Sequence, residues 1–340
     1  MKKLYSLIII VLLSIFIPAF ASEIDIQPAM SSKSDVQDRV WVGTFQIVWN
    51  EFIDKYVHTS VRFREGTPVS VKELNLKLFT ISDLTEKCYY KFSGNIKKNT
   101  KHEITKAISK KFNEKSDILD SLDLTPNKNN FLIYAMLKKD FEFLKEFDKL
   151  GKSKFGNNMT AEYFGINNNT NSDIKNNVKV LFYNNQNDYA VKLITNSVDE
   201  VFLYKSSANK DFRSLYKDMD TKTNSYKGKK LLQDKDEMKI PNIKFDISKV
   251  FNELANKRVM GTNIVISQAM ETVKFNMHNK GVQLKSEAAM AFGTTAISIE
   301  KTEPRYFYFD DTFVIFLKEK EKTNPYFALR VNDITKFQKD

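Results

Sequence analysis

A stretch of small residues near the C-terminus constrains this 340-residue chain more than any other feature. From Ala288 to Ile299 nearly every position is Ala, Gly, Thr, Ser or a β-branched residue, and Met290 and Phe292 are the exceptions. Such residues supply neither a packed core nor the charge pairs that stabilise an exposed helix. The stretch is therefore either an ordinary flexible surface loop or a segment that needs small side chains for a packing reason.

The first 21 residues have the layout of a cleavable secretory signal. Lys2 and Lys3 form a basic start, an apolar run follows from Leu4 to Ile17, and Ala19-Phe20-Ala21 provides a small-x-small exit. An uncleaved anchor is the alternative, but the apolar run is short for spanning a bilayer. We expect residues 1–21 to be removed and residues 22–340 to form a single exported domain, secreted or held at the cell surface or in a periplasm, without a transmembrane span.

Composition and charge favour a globular protein without a nucleic-acid partner. The chain is 42% hydrophobic and 13% aromatic, too apolar for disorder. Without Lys2 and Lys3, 51 basic residues stand against 42 acidic ones, a net charge of +9, but the two signs alternate along the chain. A solvated, lysine-rich surface explains this pattern better than a nucleic-acid site.

Catalytic and metal-binding motifs are absent from the sequence. The three histidines, His58, His102 and His278, have no partner at metal-ligand spacing, and no nucleophile elbow or phosphate-binding glycine loop occurs. Cys88 is the only cysteine, which excludes an intramolecular disulfide, and its apolar surroundings are typical of a core thiol rather than a nucleophile. We therefore expect no enzymatic activity, no cofactor and no metal; the oligomeric state is left open.

Residue patterns predict helices mainly in the first half. Ser34 to Gln37 resembles a capping box that starts a helix through residues 40–57, and further helices are expected near residues 103–112 and 212–219. The segment "ISKVFNELANK" (247–257) is also predicted to be helical.

Strand patterns dominate the second half. Short β-rich runs separated by turn residues predict a meander over residues 178–206, and strict alternation predicts a strand in 266–280 with Val273, Phe275 and Met277 on one face. Apolar runs in 309–331 predict a strand pair, whereas "NFLIYAML" (130–137) fits a buried strand or a helix equally well.

The order of these pieces resembles the serpins. In that family an alternating strand ends in Gly, as "ISQAMETVKFNMHNKG" (266–281) does, and a hinge rich in Glu and Ala follows, to which "SEAAMA" (286–291) is similar. Beyond an exposed loop, "FDDTFVIF" (309–316) resembles the family strand in which a Phe is followed by Pro-Phe, with Thr312 in place of Pro, and "YFALRVND" (326–333) resembles the final strand. "KIPNIKFDISKVFNELANK" (239–257) and, more faintly, "FLIYAMLKKDFEFLKEF" (131–147) are similar to upstream family segments.

The resemblance implies a serpin-like α+β fold, in which a helical N-terminal half packs on β-sheets and a reactive-loop-like segment, about 285–305, is exposed. A serpin-like protein would be a suicide inhibitor of a serine or cysteine protease, which cuts the loop and is trapped as the loop inserts into a sheet. Counting back from Phe309 puts the cleavage position at Lys301, and counting forward from Ser286 puts it at Ile299. The hinge residues that the resemblance implies are Ser286, Glu287, Ala288, Ala289, Met290 and Ala291.

Some features depart from inhibitory serpins. "VQLK" intervenes between Gly281 and Ser286, where the family hinge follows its Gly directly, and Met290 and Phe292 are bulky for fast insertion. These departures favour the alternative of a non-inhibitory serpin-fold protein that binds a partner or sits on the cell surface.

Overall fold

The computed structural model describes residues 24–126, 129–283 and 303–338. The expected signal peptide, residues 1–21, lies outside these ranges. Within them the chain has an α+β fold, and none of its helices is long and apolar enough to cross a membrane. The helices are α1 (Gly43–Phe52), which a π-helical turn (Ile53–Val57) continues, α2 (Val69–Leu74), α3 (Thr100–Phe112), α4 (Ser172–Lys175) and α5 (Phe212–Ser225), together with 3-10 turns at Ile81–Asp83, Glu86–Cys88 and Ile334–Phe337.

The strands make up the larger share of the regular structure and run through the whole described chain. In chain order they are β1 (Asp25–Gln27), β2 (Arg39–Val42), β3 (Tyr89–Asn95), β4 (Phe131–Leu137), β5 (Phe141–Glu142), β6 (Asp148–Phe155), β7 (Met159–Ile166), β8 (Val178–Asn185), β9 (Asp188–Leu193), β10 (Asp199–Lys205), β11 (Glu237–Pro241), β12 (Ile243–Val250), β13 (Lys257–Arg258), β14 (Val265–Ile266), β15 (Met270–His278), β16 (Gly281–Gln283), β17 (Tyr306–Tyr308), β18 (Phe313–Glu319) and β19 (Phe327–Val331).

The largest sheet has seven strands in the order β1-β2-β19-β18-β10-β9-β8, antiparallel except for the β1–β2 pair. All five residues of β19 are buried, as is the apolar core of β18, because both faces of the sheet are covered. On one face Phe316 packs against Tyr216 of α5, with ring centroids 5.1 Å apart. On the other, Phe327 stacks on Phe275 of β15 at 4.6 Å.

Two four-stranded and two two-stranded sheets complete the described framework. The four-stranded sheets have the orders β17-β11-β7-β6 and β12-β15-β16-β5, and the two-stranded sheets are β13-β14 and β3-β4. Strands β3 and β4 are antiparallel, and α3 lies between them in the chain. Ile104 and Ile108 of α3 pack with Tyr134 on one face of this pair, while Phe131 on the other face stacks on Tyr56 at 3.9 Å. The β3–β4 pair is therefore held between α3 and the helical segment formed by α1 and its π-helical continuation.

Most elements predicted from the sequence are confirmed. The meander is β8, β9 and β10, the alternating strand is β15, and the C-terminal pair is β18 and β19. The helices expected near 103–112 and 212–219 are α3 and α5, and the ambiguous run 130–137 is the strand β4.

The helix start expected at Ser34 is wrong. Residues 39–42 form the strand β2, and α1 begins only at Gly43. The Ser34 hydroxyl instead accepts a hydrogen bond from the Val36 N–H at 3.1 Å, which closes a turn. A Ser followed by an acidic residue favours turns as well as helix caps, so the local pattern alone does not separate the two.

The helix expected at 247–257 is also wrong. Strand β12 pairs with β15 over its full length, from Ile243 opposite Met277 to Val250 opposite Met270. Turns follow, and Asn256 takes a left-handed conformation with φ 58°. Pairing with a strand far along the chain overrides the local helix preference of this segment.

Candidate functional site: a groove between two strand edges

Strand β16 marks the start of the candidate site. After β15 the chain turns at Asn279 and Lys280 and returns antiparallel, so that Gly281 pairs with His278. On its other side Gly281 pairs with Glu142 of β5. A Cβ atom at Gly281 would lie 2.3 Å from the Phe141 carbonyl oxygen, so only glycine allows the two backbones to approach this closely. Strand β16 therefore lies between β15 and β5.

Past the end of β16, β15 and β4, the strand that precedes β5 in the chain, each have an unpaired edge among the described residues. Among the described residues, β4 pairs only with β3, and residues 270–275 of β15 pair only with β12. Between these edges lies a groove of about 1130 Å³, lined by residues 129–138 and 263–274 and by Gln283, the last residue of β16. Unpaired strand edges are templates for an additional strand, so the groove has the backbone chemistry of a missing strand position.

The walls of the groove are mainly apolar. Phe45 and Phe52 of α1 line it from one side, together with Phe327 of the large sheet, and residues 114–118 and 122–124 lie along its border. On β4 the half-buried side chains of Phe131, Ile133, Ala135 and Leu137 belong to the face that packs on the main core. An occupant would thus bury apolar side chains on one face while its backbone completed the sheet.

One ionisable group stands out in this wall. Glu271 of β15 is 5% exposed, and among the described residues neither of its carboxyl oxygens has a donor in good hydrogen-bond geometry. Burial raises the pKa of Glu271 to about 8, against smaller opposing effects from the Phe45 N–H and Lys249. The sequence pattern could have placed Glu271 on the buried face, because it continues the period-two series of Val273, Phe275 and Met277. It was missed because a carboxylate is not expected on a buried face.

The chain re-enters the described structure on a different sheet. Strand β17 pairs parallel to β11, with Tyr306 opposite Glu237. Just before it, Arg305 donates from Nε and Nη2 to Asp236 Oδ2 at 3.1 and 2.7 Å, and from Nη1 to the Lys229 carbonyl at 2.8 Å. These charge-assisted hydrogen bonds anchor the chain at residue 305, and the pairing of β16 with β15 anchors it at residue 283.

The predicted site residues lie outside the described residues. This applies to the hinge and to both candidate cleavage positions, Ile299 and Lys301. The structure therefore defines the surroundings of the segment through its two fixed ends and the groove. The hinge residues concerned are Ser286, Glu287, Ala288, Ala289, Met290 and Ala291.

Cys88 occupies a buried position, as predicted. Its Sγ donates to the Thr85 carbonyl at 2.9 Å, and burial raises the pKa of the thiol to about 11. A thiol that stays protonated is a poor nucleophile. Within the described ranges no group of three or more His, Cys, Asp or Glu side chains is arranged to hold a metal ion.

Comparison with known proteins gives matches only to solved structures. No protein-family model matches the chain, and no curated protein matches it. Serpin48, a highly specific serpin of the insect Tenebrio molitor, is 14% identical, with a TM-score of 0.45 over 87% of this chain and 92% of that chain. Thyroxine-binding globulin in complex with thyroxine is 11% identical, with a TM-score of 0.44.

The human form of thyroxine-binding globulin gives a TM-score of 0.41 at 11% identity. Both thyroxine-binding globulin structures match 69% of this chain, and the chain spans 64% of their length. At these identities the likeness concerns the fold alone, and the groove stands on its own contacts. Serpin48 and thyroxine-binding globulin, to which this α+β chain is similar in fold, are serpins.

Proposed function

We propose that this protein is an exported, serpin-like inhibitor of a serine or cysteine protease, in which a target enzyme cuts residues 284–302 and the freed strand enters the groove. The observation that carries the proposal is the position of β16. Gly281 and Val282 already pair with both β15 and β5, and Gln283, which pairs with β15, lines the groove. Continuing the same strand would fill the groove without rearranging the rest of the fold.

The register of β16 defines which side chains would enter. The β15–β16 ladder pairs Asn276 with Gln283. Continued antiparallel in the same register, it would place Ala288 opposite Glu271, on the buried face of β15, and Ala289 on the outer face. A small side chain fits at the inner position, whereas bulk would cause strain and a charge would be buried without a partner.

The proposed trap also needs a residue that the protease reads. Lys301 is the candidate cleavage position, and Ile299 is the alternative. A lysine suits a specificity pocket with an acidic base, as in trypsin-like enzymes. Arg305, four residues beyond Lys301, is held by Asp236, so the chain on the far side of the cut would remain attached to its sheet.

A non-inhibitory binding protein with the same fold is the second candidate. In the register of β16, Met290 and Phe292 would both follow Ala288 on the inner face, opposite residues 269 and 267. Large side chains there slow or block insertion. A serpin-like protein with a slow loop would be cut without trapping the enzyme, and would act through binding alone.

Incubation of the mature protein with serine and cysteine proteases, followed by denaturing gels, tests the proposal. An inhibitor gives a covalent complex that survives denaturation. Lys301→Ala should abolish the complex with a trypsin-like enzyme, while Lys320→Ala, an exposed lysine outside the segment, should leave it unchanged. Cleavage within residues 284–302 without any complex would support the binding protein instead, and resistance of the segment to every protease would contradict inhibition.

A further inference from the structure

Glu271 is a buried carboxyl group in a wall that is otherwise mainly apolar. It lies on the buried face of β15, lines the groove and is 5% exposed. In the part of the chain that the structure describes, neither carboxyl oxygen has a donor in good hydrogen-bond geometry, although the Phe45 N–H is near enough to oppose the effect of burial on its pKa. Buried polar side chains almost always have a well-placed partner, so a carboxyl group this poorly satisfied in the wall of a groove points to a role in that groove.

Nearby charges do not neutralise Glu271. Lys249 lies opposite it on β12, but the Lys249 Nζ donates to Asp25 Oδ1 at 2.6 Å and to the Ile26 carbonyl at 2.9 Å. The first turn of α1, which includes Phe45, contributes backbone N–H groups but no charged side chain. The other ionisable residues that line the groove are Glu114, Lys115, Asp117, Asp123, Lys138 and Lys274.

The cations in that set face other carboxylates or solvent. Lys138 donates to Glu114 Oε1 at 2.8 Å, and Lys274 donates to Asp117 Oδ1 at 2.9 Å. Lys115 is exposed. The Phe45 N–H and the distant charge of Lys249 favour the ionised form of Glu271, but burial outweighs both. Glu271 is therefore stable in the wall as a neutral acid, and its carboxylate would draw further hydrogen bonds from water in the open groove.

We propose that Glu271 makes occupation of the groove proton-dependent: a strand fills the groove only while Glu271 carries its proton, and ionisation keeps the groove hydrated and empty. The inference rests on the proposed function, since the occupying strand is the continuation of β16. An inserted backbone displaces the water that would solvate the carboxylate. Only the protein with an empty groove can then lose the Glu271 proton. Each pH unit above the pKa of Glu271 in that state therefore lowers the ratio of occupied to empty grooves about tenfold.

The test uses the full chain, cut within residues 284–302 by limited proteolysis. Insertion is followed as the gain in thermal stability with time, from about pH 6 to about pH 10. The variants are Glu271→Gln, which is neutral at every pH, and Glu253→Gln, an exposed control that removes the same charge. The wild type and the control should lose insertion about tenfold per pH unit above about pH 8, whereas Glu271→Gln should keep it.

The outcomes separate the two proposals. An inserted fraction that does not change with pH in the wild type would overturn the role of Glu271 and leave insertion intact. No gain in thermal stability at any pH, in any of the three proteins, would overturn the proposed function itself.

A second measurement needs no variant. In intact protein with isotope-labelled glutamate, the carboxyl resonances should include one that titrates near pH 8, and that titration should move to higher pH once the cut protein has inserted. If no glutamate titrates above about pH 6 before cleavage, Glu271 is not a buried neutral acid and the inference fails.

Discussion

At the scale of single residues, Lys139 shows how a buried charge joins separate sheets. It lies between β4 and β5, and its Nζ donates to Asp199 at 2.7 Å and to Glu319 at 2.5 Å, on β10 and β18 of the large sheet. The Tyr326 hydroxyl also donates to Asp199, at 3.0 Å. Burial lowers the pKa of Lys139, but the carboxylates outweigh it and the net shift is upward. The ammonium thus stays charged and holds the end of β4 on the core.

Removing this ammonium should be strongly destabilising. Lys139→Met leaves Asp199 and Glu319 buried side by side without a cation, and we expect a loss of about 3–5 kcal/mol in the free energy of unfolding. Lys145→Met breaks an exposed pair with Asp173 and should change stability by about 1 kcal/mol or less. Urea unfolding of both variants measures the difference. Equal losses would show that the enclosure of Lys139 has no energetic consequence.

Glu271 predicts a pH dependence of global stability. Its pKa rises from 4.5 to about 8 on folding, so its contribution is fully present below pH 4.5 and is lost as the pH rises through about 8. The free energy of unfolding should fall by about 1.4 kcal/mol per pH unit from this group. Glu271→Gln should remove that slope in denaturant titrations, and Glu253→Gln should not. Parallel stability curves for wild type and Glu271→Gln would contradict the buried neutral acid.

At the scale of elements, the sequence correctly predicted the strands whose patterns lie within a few neighbouring residues. The alternation of β15, the runs of β18 and β19 and the hairpin-like meander are periodic over a few residues, so the sequence was enough. Strand β12 was missed because its pairing with β15 joins segments about 20–30 residues apart, and such pairing overrides local preference. The groove was also out of reach, since it depends on the absence of a ladder between β4 and β15 among the described residues. The hinge stays a prediction from a resemblance in segment order, because its residues lie outside the described ranges and carry no catalytic or metal-binding groups of their own.

Strand β16 offers a direct test at this scale. Gly281→Ala would bring a Cβ atom to within 2.3 Å of the Phe141 carbonyl and 2.6 Å of the Glu142 Cα, both rigid backbone atoms. The strands must separate, and we expect a loss of about 1–3 kcal/mol together with faster hydrogen exchange in β5. Gly94→Ala in β3 meets only a ring carbon at 3.5 Å and should be tolerated. Similar stability for the two variants would show that β16 is not held between β15 and β5.

An ion pair reinforces the attachment of β17, which also pairs with β11. Asp236 is 1% exposed, and its Oδ2 accepts hydrogen bonds from both Nε and Nη2 of Arg305. Arg305→Met should therefore loosen β17, raising amide hydrogen exchange at Phe307 and costing about 2–3 kcal/mol. Arg258→Met, which removes an exposed contact to Glu65 at 3.8 Å, is the matched control. If Phe307 exchange is the same in both variants, the clamp does not hold the strand.

At the scale of the whole molecule, residues 284–302 join two sheets that do not share a strand. The segment leaves from β16, beside the groove, and returns at β17, beside β11. Under the proposed function, the Arg305 clamp would limit how far the intact segment could follow β16. A cut would free the near part, and the groove would then offer it the unpaired edges of β4 and β15 and an apolar wall. Apolar burial and new backbone hydrogen bonds both favour the inserted state, so the intact form would be metastable.

The register of insertion gives the most discriminating prediction for the molecule. Ala288→Arg would place a guanidinium on the inner face beside apolar walls, so we expect it to abolish the rise in thermal transition that follows cleavage. Ala289→Arg, one residue later, would point to the outer face and should leave the rise nearly unchanged. Calorimetry before and after limited proteolysis compares them directly. The reverse result would mean that insertion is shifted by one residue from the β15–β16 ladder, and equal behaviour would mean that the segment does not enter the sheet as a strand.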